Sequence, residues 1–231
     1  MQKITGIKAI SFDADRTLWD YEKSMRLSLL GTLKELEKLD PKSASVLDVE
    51  KMIKIREDVA HELEKKTADL REIRAEAFRR ALEHTGRANN VLAAHLNRVY
   101  FKYRAVSIDA YDDVSWALRV LKERYVLGVV SNGSTAPDVC GLSGMFSFVI
   151  LSDDCGVQKP DAKIFHMALK KAGCRKDEFL HVGDSLADDV LGAVNARVRS
   201  VWLNRDGFEN TGDIKPDYEV SGLLELVYML S

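Results

Sequence analysis

The stretch KAISFDADRTLWD, residues 8–20, places two carboxylates one residue apart directly after a short apolar run. The run ends at Phe12, and Asp13, Asp15 and Thr17 follow it at alternate positions. Taken alone, Asp and Thr are ordinary residues at a strand end and in the turn after it. The meaning of the stretch therefore depends on what the rest of the chain places beside it.

The composition of the chain favours a soluble globular protein. Of its 231 residues, 46% are hydrophobic and 30% are charged, and the formal net charge is -2. That balance provides no basic field for nucleic acid or for an anionic membrane surface, so we expect neither as a partner. No apolar run approaches the roughly 20 residues of a membrane-spanning helix, and the first residues do not resemble a secretory signal. We therefore expect a cytoplasmic location.

A helical block follows the opening strand. Apolar residues recur at steps of three and four from Tyr21 to about Tyr103, as at Met25 and Leu29. We predict that Pro41 ends the first of these helices and that Gly86 caps a later one. Between the apolar stripes lie charges of both signs, which are typical of solvated helix faces.

From about Ser107 onward, short apolar strands alternate with helices. The predicted strands are YVLGVVSNG, FVILSDD, EFLHVGDS and SVWLN, and the predicted helices are DDVSWALRVLKER, DAKIFHMALKKAG, ADDVLGAVNA and SGLLELVYML. Such alternation is typical of a parallel sheet with helices on both faces. The fold class we expect is α/β, with a Rossmann-like doubly wound parallel sheet core. Residues 1–19 and 105–231 would form this core, and residues 20–104 would be an inserted all-helical cap domain.

Polar residues follow four of the predicted strands. In chain order they are Asp13, Asp15 and Thr17, then Ser131 and Asn132, then Lys159, and finally Asp184, Asp188 and Asp189. Each group alone has an ordinary interpretation as a turn, a loop, a surface charge or the acidic start of a helix. In a parallel sheet, however, the carboxyl ends of the strands meet at one edge, where ligands bind. We therefore expect these residues to converge on one site.

The four groups together resemble the motifs of the haloacid dehalogenase superfamily, most of whose members are phosphatases. The motifs read DADRT at 13–17, SN at 131–132, QKP at 158–160 and GDSLADD at 183–189. The resemblance extends over essentially the whole chain, because it includes the α/β core and the helical cap inserted after the first strand. It implies an enzyme that hydrolyses a phosphate monoester.

The resemblance also implies a role for each motif residue. Asp13 would attack phosphorus and form an aspartyl-phosphate, while Asp15 would protonate the leaving group and later activate water. Lys159 would neutralise charge on the phosphoryl group, and Ser131 and Asn132 would bind that group.

Four carboxylates in one cleft need compensating positive charge, because like charges so close together cannot all ionise. Lys159 supplies one charge, and a divalent cation with oxygen ligands would supply the rest, with Mg2+ the natural ion beside a phosphate. By the resemblance, the metal ligands would be Asp13, the main-chain carbonyl of Asp15, Asp184 and one of Asp188 and Asp189. We favour Asp189 for the last position.

Several neighbouring residues qualify this interpretation. Thr17 would support the loop after Asp13 and belong to the substrate-binding set, and His181 is expected to be packed within its strand rather than to bind metal. Arg16 either binds a second anionic group of the substrate or points outward, and we favour the outward orientation. Asp15 argues against a dehalogenase, because displacing a halide from carbon requires no acid for an alkoxide.

The cap is expected to select the substrate, and its length favours a small soluble phosphate ester, such as a sugar phosphate, a glycolytic phosphate or a nucleotide monophosphate. Arg56, Arg71, Arg74 and Arg80 are possible anion-binding residues there, but the sequence assigns a role to none of them. The alternatives are a phosphomutase of the same superfamily and a catalytically silent regulatory member; GDSLADD and the helical insertion disfavour a receiver domain. A monomer and a homodimer both remain open.

Overall fold

The computed structural model describes residues 2–63 and 70–231, with the backbone alone described at Leu70 and Arg71. The chain divides into two compact units, one formed by Met1–Asp20 and Asp109–Ser231 and the other by Tyr21–Ile108. The sequence-based boundary at residues 104/105 falls inside a helix that continues to Val106. Within the described ranges, no helix combines the length and the low polarity that crossing a bilayer requires.

The first unit contains a six-stranded, fully parallel sheet. Its strands are β1 (Ala9–Phe12), β2 (Val126–Ser131), β3 (Phe148–Leu151), β4 (Phe179–Gly183), β5 (Arg199–Leu203) and β6 (Tyr218–Val220), in the spatial order β3-β2-β1-β4-β5-β6. This order is the doubly wound arrangement in which a ligand site forms where the strand order reverses. The predicted α/β fold is confirmed, and the short strand β6 was not anticipated from the sequence.

Strand β1 lies at the centre of the sheet. Its four residues are all buried, and they pair in parallel with Val126–Val129 of β2 and with Phe179–Val182 of β4. A strand covered on both faces is expected to be apolar throughout, and Ser11 is the exception in β1. Its place in register opposite His181 of β4 becomes relevant at the site.

Five α-helices accompany the sheet in this unit. They are α6 (Val114–Lys122), α7 (Ser152–Cys155), α8 (Ala162–Ala172), α9 (Leu191–Ala196) and α10 (Leu223–Leu230). The residues at the two ends of helix α8 explain where it begins and where it ends. The Asp161 side chain accepts a hydrogen bond of 2.9 Å from the Lys163 amide at its start, and Gly173 adopts a φ of +65° at its end. A carboxylate cap and a left-handed glycine are the usual signals for these positions.

Asp113 directly precedes helix α6 but does not cap it. Its side chain makes no capping hydrogen bond to that helix. Instead it accepts a bond of 2.7 Å from the amide of Leu223, at the start of α10, and two bonds of 3.0 and 3.1 Å from Arg205. The tertiary fold therefore uses the carboxylate to join α10 to the segment after β5.

The second unit consists of helices. They are α1 (Tyr21–Leu39), α2 (Pro41–Ala44), α3 (Val49–Leu63), α4 (Leu70–His84) and α5 (Asn90–Val106). Pro41 follows the end of α1 and is the first residue of α2, where its missing N–H costs nothing. Many of the apolar residues meet in a core that includes Leu36, Leu82 and Leu96, each at most 2% exposed, and a smaller cluster forms between α3 and α4.

Candidate active site

The first unit brings the predicted motif residues to the carboxyl edge of the sheet. Asp13 directly follows β1, Ser131 is the last residue of β2, and Asp184 directly follows β4. These three strands are neighbours in the sheet, and β1 lies where the strand order reverses. The topology therefore places the three side chains together for the reason that ligands bind at this edge in doubly wound sheets.

Lys159 forms the charged centre of this group. Its Nζ lies 2.6 Å from Oδ1 of Asp13 and 2.5 Å from Oδ1 of Asp189, and the lysine side chain is only 2% exposed. Asn132 fixes the lysine backbone from both sides, because its Oδ1 accepts a 2.7 Å bond from the Lys159 amide and its Nδ2 donates to the Lys159 carbonyl. The Asn132 side chain, named from sequence as a substrate ligand, is thus engaged in positioning Lys159.

The three buried charges shift one another's proton affinity. Burial, together with Asp189 and Asp184, raises the pKa of Asp13 against the opposing effect of Lys159. Burial opposes the charged form of Lys159, but Asp13 and Asp189 outweigh it and raise the lysine pKa. Burial also opposes ionisation of Asp189, yet Lys159 and His181 hold the pKa of that carboxyl well below its usual range. The site therefore holds a lysinium paired with an ionised Asp189.

Three carboxylates come close enough to share a cation. Oxygens of Asp13, Asp184 and Asp189 all lie within 4.8 Å of one another. Burial and the nearby Asp189 raise the pKa of Asp184 to about 6, which is still below neutral pH. Asp184 and Asp189 are therefore both ionised at pH 7, and the single positive charge of Lys159 does not fully compensate them. These donors fit a hard divalent ion such as Mg2+. Asp188, the alternative named from sequence, is not a member of this group.

Asp189 is held in the group by several donors besides Lys159. Its Oδ2 accepts a 3.0 Å bond from the Ser185 amide, and its Oδ1 lies 2.9 Å from Nε2 of His181. The residue sits in a π-helical turn, Leu186–Val190, that precedes α9. A Cβ on Gly183 would come within 2.1 Å of its carboxyl carbon, so a glycine at this position allows the close approach.

His181 and Ser11 extend this network below the site. His181 is fully buried, and its Nδ1 lies 2.7 Å from Oγ of Ser11 in the adjacent strand. Burial lowers the pKa of His181, so we assign a neutral ring that donates from Nε2 to Asp189 and accepts from Ser11 at Nδ1. His181 is thus buried in its strand as expected, but it also forms hydrogen bonds with polar partners. The sequence contained a hint of this, because each of two apolar strands carries one polar residue, Ser11 and His181, and these two are paired in register.

Asp15 has a partner that the sequence did not suggest. Nε1 of Trp19 donates a 2.6 Å hydrogen bond to Oδ1 of Asp15, and Trp19 is fully buried. A Cβ on Gly133 would lie 2.8 Å from Oδ2 of Asp15, so the carboxylate also lies against the loop after β2. The four-residue spacing of Asp15 and Trp19 was the only hint of this contact in the sequence. The spacing predicts the contact only if the loop is known to turn back on itself.

Two orientations of Arg16 were considered from the sequence, one toward an anionic group of the substrate and one outward, and the structure matches neither fully. It is a non-glycine residue with a φ of +64°, in the left-handed region that such residues rarely adopt. Its side chain is 46% exposed, while its Nε lies 3.3 Å from Asp184 and its Nη2 lies 3.3 Å from Asp206. The guanidinium is therefore at the surface and paired with a carboxylate of the acidic group.

Thr17 and Ser131 are more deeply buried than Arg16. Thr17 is fully buried, its Oγ1 has no hydrogen-bond partner among the described residues, and its carbonyl accepts a 3.0 Å bond from Arg205. Ser131 is 1% exposed, and its Oγ accepts a 3.1 Å bond from the Gly133 amide. In this bond the hydroxyl proton of Ser131 is not used, so it can be donated to another acceptor.

Comparison with protein families and with characterised sequences gives consistent matches. The family model of the haloacid dehalogenase-like hydrolases matches residues 7–197. An N-acylneuraminate-9-phosphatase of Homo sapiens is 26% identical over 238 aligned positions, an alignment that covers 98% of this chain and 95% of that protein. A pyrimidine 5'-nucleotidase of Escherichia coli is 31% identical over 147 residues, which cover 61% of this chain and 65% of that protein.

Solved structures share the fold over nearly the whole chain. A 2-haloacid dehalogenase from Pseudomonas syringae superimposes with a TM-score of 0.80 at 29% identity, covering 96% of this chain and 97% of its own. A magnesium-bound hydrolase from Bacillus subtilis has a TM-score of 0.78 at 25% identity, covering 97% and 99%. The matched proteins therefore include both phosphate-ester hydrolases and a dehalogenase.

Proposed function

The chain belongs to the haloacid dehalogenase-like hydrolases, and on that premise we propose that it is a Mg2+-dependent phosphatase. In this proposal it hydrolyses a small soluble phosphate monoester through an aspartyl-phosphate intermediate on Asp13. The observation that carries the proposal is the carboxylate of Asp13 at the end of β1, 2.6 Å from Lys159 and grouped with Asp184 and Asp189.

Asp13 is the proposed nucleophile. One of its carboxylate oxygens attacks phosphorus, the bond to the ester oxygen breaks, and the phosphoryl group is left on the aspartate. Lys159 holds Oδ1 of Asp13 by its 2.6 Å contact, which leaves Oδ2 for the attack. The lysinium also offsets the charge that gathers on the phosphoryl oxygens.

Asp15 is the proposed acid and base. It gives its proton to the departing alkoxide and then takes a proton from the water that attacks the aspartyl-phosphate. Trp19 supports this role, because its 2.6 Å bond to Oδ1 fixes the orientation of the carboxylate. A dehalogenase has no alkoxide to protonate, so Asp15 favours the phosphate ester although one matched structure is a 2-haloacid dehalogenase.

The proposed Mg2+ ligands are Asp13, the main-chain carbonyl of Asp15, and Asp184. Asp189 would be the outer partner rather than Asp188, since Asp189 belongs to the close carboxylate group. When bound, the ion would supply positive charge to the phosphoryl oxygens in the transition state. The matched hydrolase from Bacillus subtilis is bound to magnesium, which supports this choice of ion.

A small monoester is the proposed substrate class. The names of the two sequence relatives, an N-acylneuraminate-9-phosphatase and a pyrimidine 5'-nucleotidase, both describe enzymes of small phosphate esters. Ser131 can donate its hydroxyl to a phosphoryl oxygen. Asn132 contributes through its hold on the Lys159 backbone, and buried Thr17 supports the loop that carries Asp15.

The test is release of inorganic phosphate from phenyl phosphate, with and without Mg2+, by the wild type and by Asp13→Asn. We expect metal-dependent turnover that falls by at least about a thousandfold in the variant, while the exposed control Asp138→Asn is unchanged. An aspartyl-phosphate is an acyl phosphate, which survives a brief acid quench but is cleaved by alkali and by hydroxylamine, so the intermediate on Asp13 is sought by rapid acid quench and by borohydride reduction. Turnover that survives Asp13→Asn would refute the mechanism, and phosphate transfer to an added sugar phosphate instead of water would identify a mutase.

A further inference from the structure

Residues 15–19, here termed the acid loop, turn back on themselves after β1. The Arg16 amide donates a 2.8 Å hydrogen bond to the Trp19 carbonyl, and Nε1 of Trp19 donates a 2.6 Å bond to Oδ1 of Asp15. Trp19 is fully buried. The position of the Asp15 carboxylate, the proposed acid and base, therefore depends on where the acid loop lies relative to the sheet.

Two backbone carbonyls of the acid loop accept hydrogen bonds from later segments of the same unit. The Leu18 carbonyl accepts a 3.0 Å bond from the amide of Tyr111, and the Thr17 carbonyl accepts a 3.0 Å bond from Nη2 of Arg205. Thr17 is fully buried. Leaving a buried carbonyl without its donor is costly, so the guanidinium of Arg205 stabilises the loop in this place.

The guanidinium of Arg205 is itself held on two sides. Its Nη1 and Nη2 donate bonds of 3.1 and 3.0 Å to the two carboxylate oxygens of Asp113, and its guanidinium carbon lies 4.1 Å from the centre of the Tyr111 ring. The side chains of Arg205 and Asp113 are only 17% and 15% exposed. A paired and stacked guanidinium has a fixed orientation, which a lysine does not reproduce.

Asp113 connects this pair to a further element of the unit. Its Oδ2 also accepts a 2.7 Å bond from the Leu223 amide at the start of α10. The arginine is thus fixed between the segment after β5, the start of α6 and the start of α10. An ion pair with Asp113 alone would suffice to join these elements, and the bond from Nη2 to the Thr17 carbonyl extends the arrangement to the acid loop.

We propose that Arg205 is a positioning residue for Asp15. By holding the Thr17 carbonyl, it keeps the acid loop where the Asp15 carboxyl can transfer a proton to the leaving group. Proton transfer requires hydrogen-bond distance between the two heavy atoms, and a displacement of about 1 Å can lower a rate by about a hundredfold. The effect on catalysis rests on the proposed function, whereas the effect on the loop does not.

The loop is tested first, in the full chain and without substrate. Labelling tryptophan with 15N gives three indole N–H resonances, from Trp19, Trp116 and Trp202, and Trp19→Phe assigns the first. We expect Arg205→Met to move the proton resonance of Trp19 upfield, because its bond to Asp15 weakens when the loop shifts. This change should exceed the changes at Trp116 and Trp202.

Arg199 provides a matched control, because it also donates to backbone carbonyls. Its Nη1 and Nη2 lie 2.9 and 2.6 Å from the carbonyls of Thr5 and Asp177, and it begins β5, at the opposite end of that strand from Arg205. Arg199→Met should leave the Trp19 resonance in place even where it lowers stability. An unmoved Trp19 resonance in Arg205→Met, or an equal shift in both variants, would overturn the proposal.

Turnover is then compared for two esters that differ in their need for an acid. Phenolate leaves more readily when it is protonated, whereas 2,4-dinitrophenolate leaves without a proton. Since kcat/KM includes the steps up to phosphoryl transfer, Arg205→Met should lower it by about a hundredfold for phenyl phosphate. The loss for 2,4-dinitrophenyl phosphate should be less than about tenfold. Equal losses for both esters would indicate a general loosening of the site and would refute the positioning of Asp15.

Arg205→Lys replaces Arg205→Met if the latter does not fold. It keeps the positive charge beside Asp113, but its single nitrogen cannot occupy the positions of both Nη atoms. The Trp19 shift and the smaller loss for the dinitrophenyl ester should therefore persist, and wild-type values would overturn the proposal. A wild type that hydrolyses neither ester would refute the proposed function, and the Trp19 resonance would still decide whether Arg205 holds the loop.

Discussion

Nζ of Lys159 lies 2.5 Å from Oδ1 of Asp189, and both side chains are only 2% exposed. The same ammonium lies 2.6 Å from Asp13. Removing charges from water is costly, and the cost is offset only while each charge keeps its partner. The stability of the sheet edge is therefore coupled to the groups proposed for catalysis.

The first prediction concerns the loss of this lysine. Lys159→Met should lower the free energy of unfolding by about 3 kcal/mol or more near neutral pH, because two buried carboxylates remain without their cation. In the variant, the folded-state pKa of both carboxyls should exceed the unfolded value. The loss should therefore shrink as pH falls and the carboxyls take up protons.

Urea unfolding at pH 5 and pH 8 measures this effect. Lys163→Met, at a lysine that is 76% exposed on α8, is the control and should change stability by less than about 0.5 kcal/mol. A loss for Lys159→Met that is the same at both pH values would show that packing, rather than charge, accounts for it.

The second prediction concerns Gly183. A Cβ there would lie 2.1 Å from the carboxyl carbon of Asp189, so Gly183→Ala must push Asp189 away from Lys159 and His181. We expect turnover to fall by about a hundredfold or more and stability to fall by about 1–3 kcal/mol. At Gly212 an added Cβ meets nothing closer than 3.8 Å. Gly212→Ala should therefore leave both quantities unchanged, and a similar loss in the two variants would contradict the steric argument.

The sequence was sufficient for the fold and for the positions of the motif residues. Strand β1 was readable because a short apolar run ended in Asp13, and the alternation after Ser107 predicted the parallel sheet that the structure contains. Strand β6 was missed because it has only three residues, Tyr218–Val220, one of them exposed. A pattern that short carries no usable period.

The partners of the motif residues could not be predicted, because they depend on register and on loop geometry. Ser11 and His181 meet since β1 and β4 pair in one particular register. Trp19 reaches Asp15 only because the chain reverses through the positive φ of Arg16. Local propensity does not encode such contacts, which the tertiary fold determines.

The third prediction concerns His181 as a positioning residue. His181→Phe keeps most of the buried volume but removes the 2.9 Å bond to Asp189 and the 2.7 Å contact with Ser11. Residues that orient metal-site carboxylates typically contribute about 10–100-fold to metal affinity or activity. We expect a loss of that size in kcat and a higher Mg2+ concentration for half-maximal turnover. His166→Phe, at an exposed position on α8, is the control; a His181 variant with unchanged Mg2+ dependence would exclude this role.

The fourth prediction concerns the pH dependence of metal binding. Burial and Asp189 raise the pKa of Asp184 to about 6, and burial also raises the pKa of Asp13 in the metal-free protein. Mg2+ binds the ionised carboxylates, so at lower pH it must displace protons that at higher pH are already gone. Mg2+ affinity should therefore fall as pH decreases from 8 to 5, by up to about tenfold per pH unit for each proton displaced. The Mg2+-induced rise in Tm, measured across this range, reports that affinity.

Asp184→Asn should bind Mg2+ more weakly and with a shallower pH dependence. A wild-type shift in Tm that is independent of pH would show that neither carboxyl loses a proton when Mg2+ binds.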